Sequence, residues 1–156
     1  MNVVRIERID VGEDRLIALV RVPPTSPMRT SASPGLADRA LTLLPGLRRH
    51  TCENGSARGM TRELADTETP HLLEHLAFEL MALSGSPRDL HGATTWDFAT
   101  DGQGVFRVTL GFDDDLVALD ALRCAVTVAD WLFEPDSPSP DTDEMVARLK
   151  KLRRMP

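Results

Sequence analysis

A short stretch of the chain combines two histidines and a glutamate at spacings that suit metal chemistry. The stretch reads His71-Leu72-Leu73-Glu74-His75. Positions i, i+3 and i+4 of a helix share one face, so both imidazoles and the carboxylate would point the same way. Zinc hydrolases need two neutral nitrogen ligands and a carboxylate that takes a proton from water, and His-x-x-Glu-His is the inverted form of their common helix motif.

This pattern predicts that His71 and His75 are zinc ligands and that Glu74 is the general base. Short motifs also recur by chance. The alternative is therefore an ordinary helix in which Glu74 is only an ion-pair partner of the histidines.

A third ligand is expected from an acidic residue at the start of the next long helix, predicted over 113–133. A helical-wheel count places Asp115 on the apolar face with Leu122, whereas it places Asp120 on the solvent face. A carboxylate that points inward needs a partner against desolvation, and a metal ion is one such partner. We therefore predict Asp115 as the third ligand, with Asp114 as the second choice. The alternative is that these aspartates only cap the helix and favour its dipole.

Four further residues are weaker candidates. His50 and Cys52 could bind a metal, but a single His-x-Cys lacks a second pair, which favours a local structural role. His91 and Trp96 follow the motif helix and are predicted to contact a substrate. Their alternatives are an exposed loop histidine and a tryptophan that fills the core.

The elements that must position these residues follow from hydrophobic periodicity and from turn residues. The predicted strands are 3–9, 16–22, 92–100 and 104–112, and the predicted helices are 36–44, 69–83, 113–133 and 143–154. This order predicts an α+β fold: one antiparallel sheet, a central helix with the His-x-x-Glu-His motif and a second long helix packed on it. We assign the domain to residues 1–133, and a linker with a short basic helix to 134–156.

Composition excludes several classes of protein. The chain has 156 residues and a formal net charge of -6, which argues against nucleic acid or an anionic membrane as the main partner. Its two cysteines are too few for a disulfide framework. No apolar run approaches the roughly 20 residues that cross a bilayer, and residues 1–11 lack a signal-peptide core. These features predict a cytoplasmic protein without membrane contact.

Several motifs together resemble the N-terminal domain of cyanophycin synthetases. They are Leu43-Leu44-Pro45-Gly46-Leu47, His50-x-Cys52, the helix 69–80, Leu83-Ser84-Gly85, Gly104-Val105-Phe106-Arg107-Val108 and the helix that Asp115 begins. The resemblance covers roughly residues 36–132. That domain is itself similar to the pitrilysin/insulinase-type zinc peptidases, and in some synthetases it is a hydrolase that trims the Asp-Arg polymer into primers.

The resemblance implies a zinc-dependent hydrolase of peptide or amide bonds. It makes His71 and His75 zinc ligands and Glu74 the general base, and it implies a third acidic ligand that falls nearest to Asp115. Asp115 is one methylene shorter than the family's glutamate, and the loop 86–102 departs from the family in length. The expected cofactor is Zn²⁺, and the expected substrate is a peptide or isopeptide.

Two functions from different classes follow from these observations. The first is the zinc hydrolase, and the second is a catalytically inactive scaffold or partner subunit of the same fold. The presence of Glu74 beside both histidines favours the enzyme, because a binding module has no need of the base. We also expect a homodimer or another homo-oligomer, since a chain of this size leaves a cleft and a sheet edge to cover.

Overall fold

The structure is a computed structural model that describes residues 2–52, 59–153 and 155. In chain order its elements are β1 (Arg5–Val11), β2 (Arg15–Arg21), α1 (Leu36–Leu43), α2 (Met60–Glu63), α3 (Thr69–Leu83), β3 (Gly92–Trp96), α4 (Phe98–Asp101), β4 (Val105–Gly111), α5 (Asp115–Phe133) and α6 (Thr142–Arg153). Short 3₁₀ helices cover Thr30–Ala32 and Pro45–Arg49. The predicted α+β class is confirmed.

The four strands form one antiparallel sheet in the order β1-β2-β4-β3. Successive side chains of a strand point to opposite faces, so each central strand buries every second side chain on the same face. The buried positions are Leu16, Ala18 and Val20 of β2, opposite Leu110, Val108 and Phe106 of β4. This apolar face carries the helices, and β3 remains at one edge of the sheet.

The helix α3 lies in the middle of the domain, between the sheet and the long helix α5. Most of its residues are buried, including both the leucine face and the face that carries Glu74 and His75. The loop before it fixes its start: Thr69 N donates to Met28 O at 2.8 Å, and Thr69 Oγ1 donates to Pro27 O at 2.8 Å. The motif residues therefore project from a rigid element.

The predicted strand 92–100 is too long. The strand β3 ends at Trp96, because Asp97 caps the short helix α4 by accepting from Thr100 N at 3.2 Å. Phe98 consequently belongs to α4 and not to the sheet. Trp96 is 52% exposed, so the alternative prediction of a core tryptophan is wrong.

The predicted faces of α5 are reversed at two aspartates. Asp120, predicted to face solvent, is buried, whereas Asp115, predicted to face inward, is exposed. The reason is the helix α6, which packs on α5 and covers the side where Asp120 lies. Arg148 of α6 compensates the buried charge, with its Nε 2.9 Å from Asp120 Oδ2.

No helix among the described residues is long and apolar enough to cross a membrane. The longest of them, α5, has an apolar face that packs on α3.

Candidate metal centre

A cleft of about 680 Å³ opens beside α3. Its floor is the face of α3 that carries His71, Glu74 and His75, which we call the motif face. Its far wall is the strand β3, and the remaining sides come from residues 49–52 and 87–91. Glu74, His71 and His75 all line it. The face of α3 that carries the motif is therefore accessible to a ligand from the cleft.

Three side chains with metal-binding chemistry meet in this cleft. The ligand atoms of Cys52, His71 and His75 all lie within 4.8 Å of one another. His75 Nε2 lies 3.0 Å from His71 Nε2 and 3.6 Å from Cys52 Sγ. Within residues 2–52, 59–153 and 155, no other group of three such side chains comes this close together.

Each histidine is held through the ring nitrogen that faces away from the meeting point. Thr67 Oγ1 donates to Glu68 Oε2 at 3.3 Å, so this hydroxyl accepts from His71 Nδ1, which lies 2.8 Å away. His50 Nδ1 lies 2.9 Å from His75 Nδ1. Such outer hydrogen bonds fix the orientation of metal-binding imidazoles in known sites.

The electrostatics of the cleft keep both histidines neutral. Burial, together with the neighbouring imidazoles of His71 and His50, lowers the pKa of His75 to about 2. Burial also lowers the pKa of His71 below its ordinary value, against the opposing charges of Glu63 and Glu68. Neutral imidazoles carry the free lone pair that a metal ligand requires.

The thiol of Cys52 is protonated in the absence of a metal. Its side chain is buried beside Met60, with 3.7 Å between the two sulfur atoms. Burial raises the pKa of Cys52 to about 11, and the carboxylates of Glu63 and Glu74 add to this effect. A metal that binds here must therefore displace the thiol proton.

Glu74 is a buried carboxyl group beside the three ligand atoms. Thr94 Oγ1 of β3 donates to its Oε1 at 2.7 Å, and its Oε2 lies 3.6 Å from His75 Nε2. Burial raises the pKa of Glu74 to about 7, and the hydrogen bond from Thr94 only partly opposes this rise. A carboxylate with a pKa near neutrality is suited to take up and release a proton.

The donor set fits a zinc ion. Tetrahedral zinc holds sulfur at about 2.3 Å and imidazole nitrogen at about 2.0–2.1 Å. Two nitrogens then lie about 3.3 Å apart, and a nitrogen and a sulfur about 3.6 Å apart. Two of the three separations between the ligand atoms, 3.0 Å and 3.6 Å, lie close to these values, and the third, between Cys52 and His71, is within 4.8 Å. One sulfur and two nitrogens also match the ligand preference of zinc.

The structure does not bring the predicted third ligand, Asp115, to the histidines. Asp115 is exposed at the first turn of α5, where its Oδ1 accepts from Leu116 N at 2.8 Å, and it lines a separate depression. The second choice, Asp114, caps α5 by accepting from Val117 N at 3.2 Å. Both aspartates accept hydrogen bonds from backbone N–H groups at the start of α5, which agrees with the alternative function of these residues. The third side chain that lies beside the two histidines is Cys52.

The two predicted substrate contacts lie on the wall of the cleft. His91 and Trp96 both line it and are both exposed. The backbone of His91 extends the sheet, because its carbonyl accepts from Gly111 N at 2.8 Å. Their side chains are thus accessible from the cleft opening, and their contact with a substrate stays a prediction.

Sequence reasoning missed part of the site. It ranked Cys52 and His50 as structural, and it gave no function to Thr94 or to Glu79, whose Oε1 lies 2.9 Å from His50 Nε2. A signal existed for Glu79, since a carboxylate four residues after His75 shares its helix face. No local signal exists for Thr94, because only the pairing of β3 with β4 places it over α3.

Burial of the Glu74 carboxylate has a measurable cost in the metal-free protein. Because its pKa is raised from 4.5 to about 7, folding favours the protonated group, and this stability is lost as the pH rises through 7. We expect Glu74→Gln to raise the free energy of unfolding above pH 7 by on the order of 3 kcal/mol. Below pH 4.5 the two proteins should differ little. Urea unfolding in the presence of a chelator measures both values.

The control for this prediction is Asp89→Asn, which neutralises an exposed carboxylate of the same cleft. It should leave the free energy of unfolding almost unchanged at either pH, because an exposed charge gains little from neutralisation. If Glu74→Gln were no more stable than the wild type above pH 7, the inference that the ionised Glu74 carboxylate destabilises the metal-free protein would be contradicted.

The chain was found to match a known protein family. Residues 19–134 match the model of the cyanophycin synthase-like N-terminal domain. No curated protein matches the chain. The matched range contains all three potential metal ligands as well as Glu74.

Proposed function

Because the chain belongs to the cyanophycin synthase-like N-terminal domain family, we propose that it is a zinc-dependent hydrolase of peptide or amide bonds. One observation carries the proposal: a buried carboxyl group, Glu74, lies beside three potential metal ligands in an open cleft. A site that only bound a metal for structural reasons would have no need of this costly carboxylate.

Cys52, His71 and His75 would hold the zinc ion. Three protein ligands leave one coordination position for water or substrate, which is the arrangement of catalytic zinc sites. When bound, the metal would supply Lewis acidity toward the scissile carbonyl and toward water. The single thiolate would leave part of the metal's positive charge uncompensated, and this favours that polarising effect.

Glu74 would move the proton. Thr94 holds Oε1 by a hydrogen bond, which leaves Oε2 as the atom that accepts the proton of the attacking water. The same atom would then return the proton to the leaving amine. A pKa of about 7 suits both transfers, since neither protonation state is strongly disfavoured at neutral pH.

The edge of the sheet would bind the substrate. Strand β3 is an edge strand that lines the cleft, and Gly111 N donates to the carbonyl of His91 just before it. Hydrogen-bonded and non-hydrogen-bonded pairs alternate in an antiparallel ladder, so the N–H groups of Thr94 and Trp96 face away from β4. These groups can pair with an extended peptide or isopeptide, and the side chains of His91 and Trp96 flank its path.

The test is metal analysis and hydrolysis with protein purified without a histidine tag. We expect about one equivalent of zinc per chain, as for a single catalytic site. Mass spectrometry of a mixed pool of peptides and isopeptides should show amide cleavage that a chelator abolishes and added zinc restores. Absence of zinc binding, even with zinc supplied, would refute the proposal. Zinc binding without any cleavage would favour the scaffold function instead.

A further inference from the structure

A second carboxylate of α3, Glu79, lies behind the candidate metal centre and has no part in the proposed chemistry. It is fully buried, one helical turn after His75. Arg88 donates to both of its oxygens, at 2.9 Å to Oε1 and 3.3 Å to Oε2. His50 Nε2 lies 2.9 Å from Oε1. A buried carboxylate with this many partners is held in one orientation.

The 3₁₀ helix Pro45–Arg49 leaves space for this carboxylate at Gly46, which has no side chain. A Cβ atom added to Gly46 would lie 1.9 Å from Glu79 Oε2 and 2.6 Å from its Cδ. A side chain at this position is therefore incompatible with the place of Glu79. His50 directly follows the same 3₁₀ helix, so the turn that accommodates the carboxylate also positions its imidazole partner.

The hydrogen-bond chain fixes which nitrogen of each imidazole carries the proton. Glu79 is ionised by its pairing with Arg88 and only accepts, so His50 Nε2 must donate to it. With the proton of His50 on Nε2, its lone pair is on Nδ1, which accepts from His75 Nδ1 at 2.9 Å. This leaves the lone pair of His75 on Nε2, the atom that faces Cys52.

We propose that Glu79 is a positioning residue of the metal centre: acting through His50, it fixes the tautomer and orientation in which His75 presents Nε2 to the metal. The inference rests on the metal site of the proposed function. Arg88 connects the hydrogen bonds of Glu79 to the cleft wall, because residues 87–91 line the cleft. Carboxylate–histidine chains behind metal ligands raise the basicity of the ligand and its affinity for the metal.

The first test measures zinc affinity by competition with a chromophoric chelator. Glu79→Gln should lower the affinity about 10- to 100-fold, the usual effect of losing such an outer partner. Asp120→Asn is the matched control, because Asp120 is also a buried carboxylate of a long helix paired with an arginine, Arg148. It should leave zinc affinity unchanged. Equal affinity of Glu79→Gln and wild type, or an equal loss in Asp120→Asn, would overturn the inference.

The second test needs no variant. Nitrogen chemical shifts of the wild-type protein labelled with ¹⁵N-histidine report which imidazole nitrogens carry protons. We expect His50 protonated on Nε2 and His75 protonated on Nδ1. The opposite tautomers would overturn the inference even if zinc binds tightly. A wild-type protein that binds no zinc would instead refute the metal site itself, so the two failures are distinguishable.

Discussion

Replacing Cys52 with serine is expected to lower the affinity for zinc by more than about 100-fold, a larger loss than removal of an outer hydrogen-bond partner causes. The thiolate would be the one anionic ligand in the set, and its sulfur lies 3.6 Å from His75 Nε2. Serine keeps nearly the same volume but offers a hydroxyl that rarely ionises. Competition titration with a chelator, combined with a circular dichroism spectrum, separates lost binding from lost folding.

Two variants control this prediction. Cys124→Ser alters the other buried cysteine, which contacts Arg148 far from the cleft, and zinc affinity should not change. Asp115→Asn removes the carboxylate that sequence reasoning chose as the third ligand, and zinc affinity should again not change. A large loss in Asp115→Asn together with none in Cys52→Ser would show that the third ligand has been misassigned.

Glu74→Gln is expected to lower kcat by about 10²- to 10⁴-fold, the usual contribution of a general base, while zinc remains bound. The amide keeps the shape of the side chain and the hydrogen bond from Thr94 Oγ1, but it cannot accept the proton of water. KM should change little, because no ligand of the metal is lost. The measurement is steady-state hydrolysis of the best substrate found, with zinc content determined on the same sample.

The contrasting variant is His75→Ala, which should lose both zinc and activity. If Glu74→Gln retained full activity with zinc bound, another group would have to move the proton. If it lost zinc, Glu74 would act through the metal and not as the base. Asp89→Asn, in the same cleft but exposed, should behave as the wild type.

Much of the fold could be predicted because its signals are local. The helix α3 has apolar residues at helical spacing and a proline in its first turn, and the strands β2 and β4 are rich in β-branched residues and flanked by turn residues. The end of β3 was predicted less well. There the side chain of Asp97 accepts hydrogen bonds from Thr100 N and from Thr100 Oγ1. These bonds stabilise the start of the helix α4 and end the strand at Trp96.

The proposed third ligand, Cys52, could not be predicted, because its approach to the histidines depends on contacts between distant segments. The helix α6 packs on α5 and buries Asp120, whereas the start of α5 is exposed, so the periodicity of α5 alone misplaces both aspartates. Cys52 precedes α3 in the chain, whereas the acidic candidates Asp114 and Asp115 follow it. Only the fold around α3 brings residues 50–52 onto the motif face, where His50 and Cys52 approach His75 from two sides.

The central claim is the identity of the metal ligands, and zinc K-edge X-ray absorption tests it most directly. We predict one sulfur scatterer at about 2.3 Å and two imidazole nitrogens at about 2.0–2.1 Å from the zinc ion. In Cys52→Ser the sulfur shell should disappear, and in Asp115→Asn the spectrum should be that of the wild type. A wild-type spectrum with nitrogen and oxygen ligands alone would contradict the account.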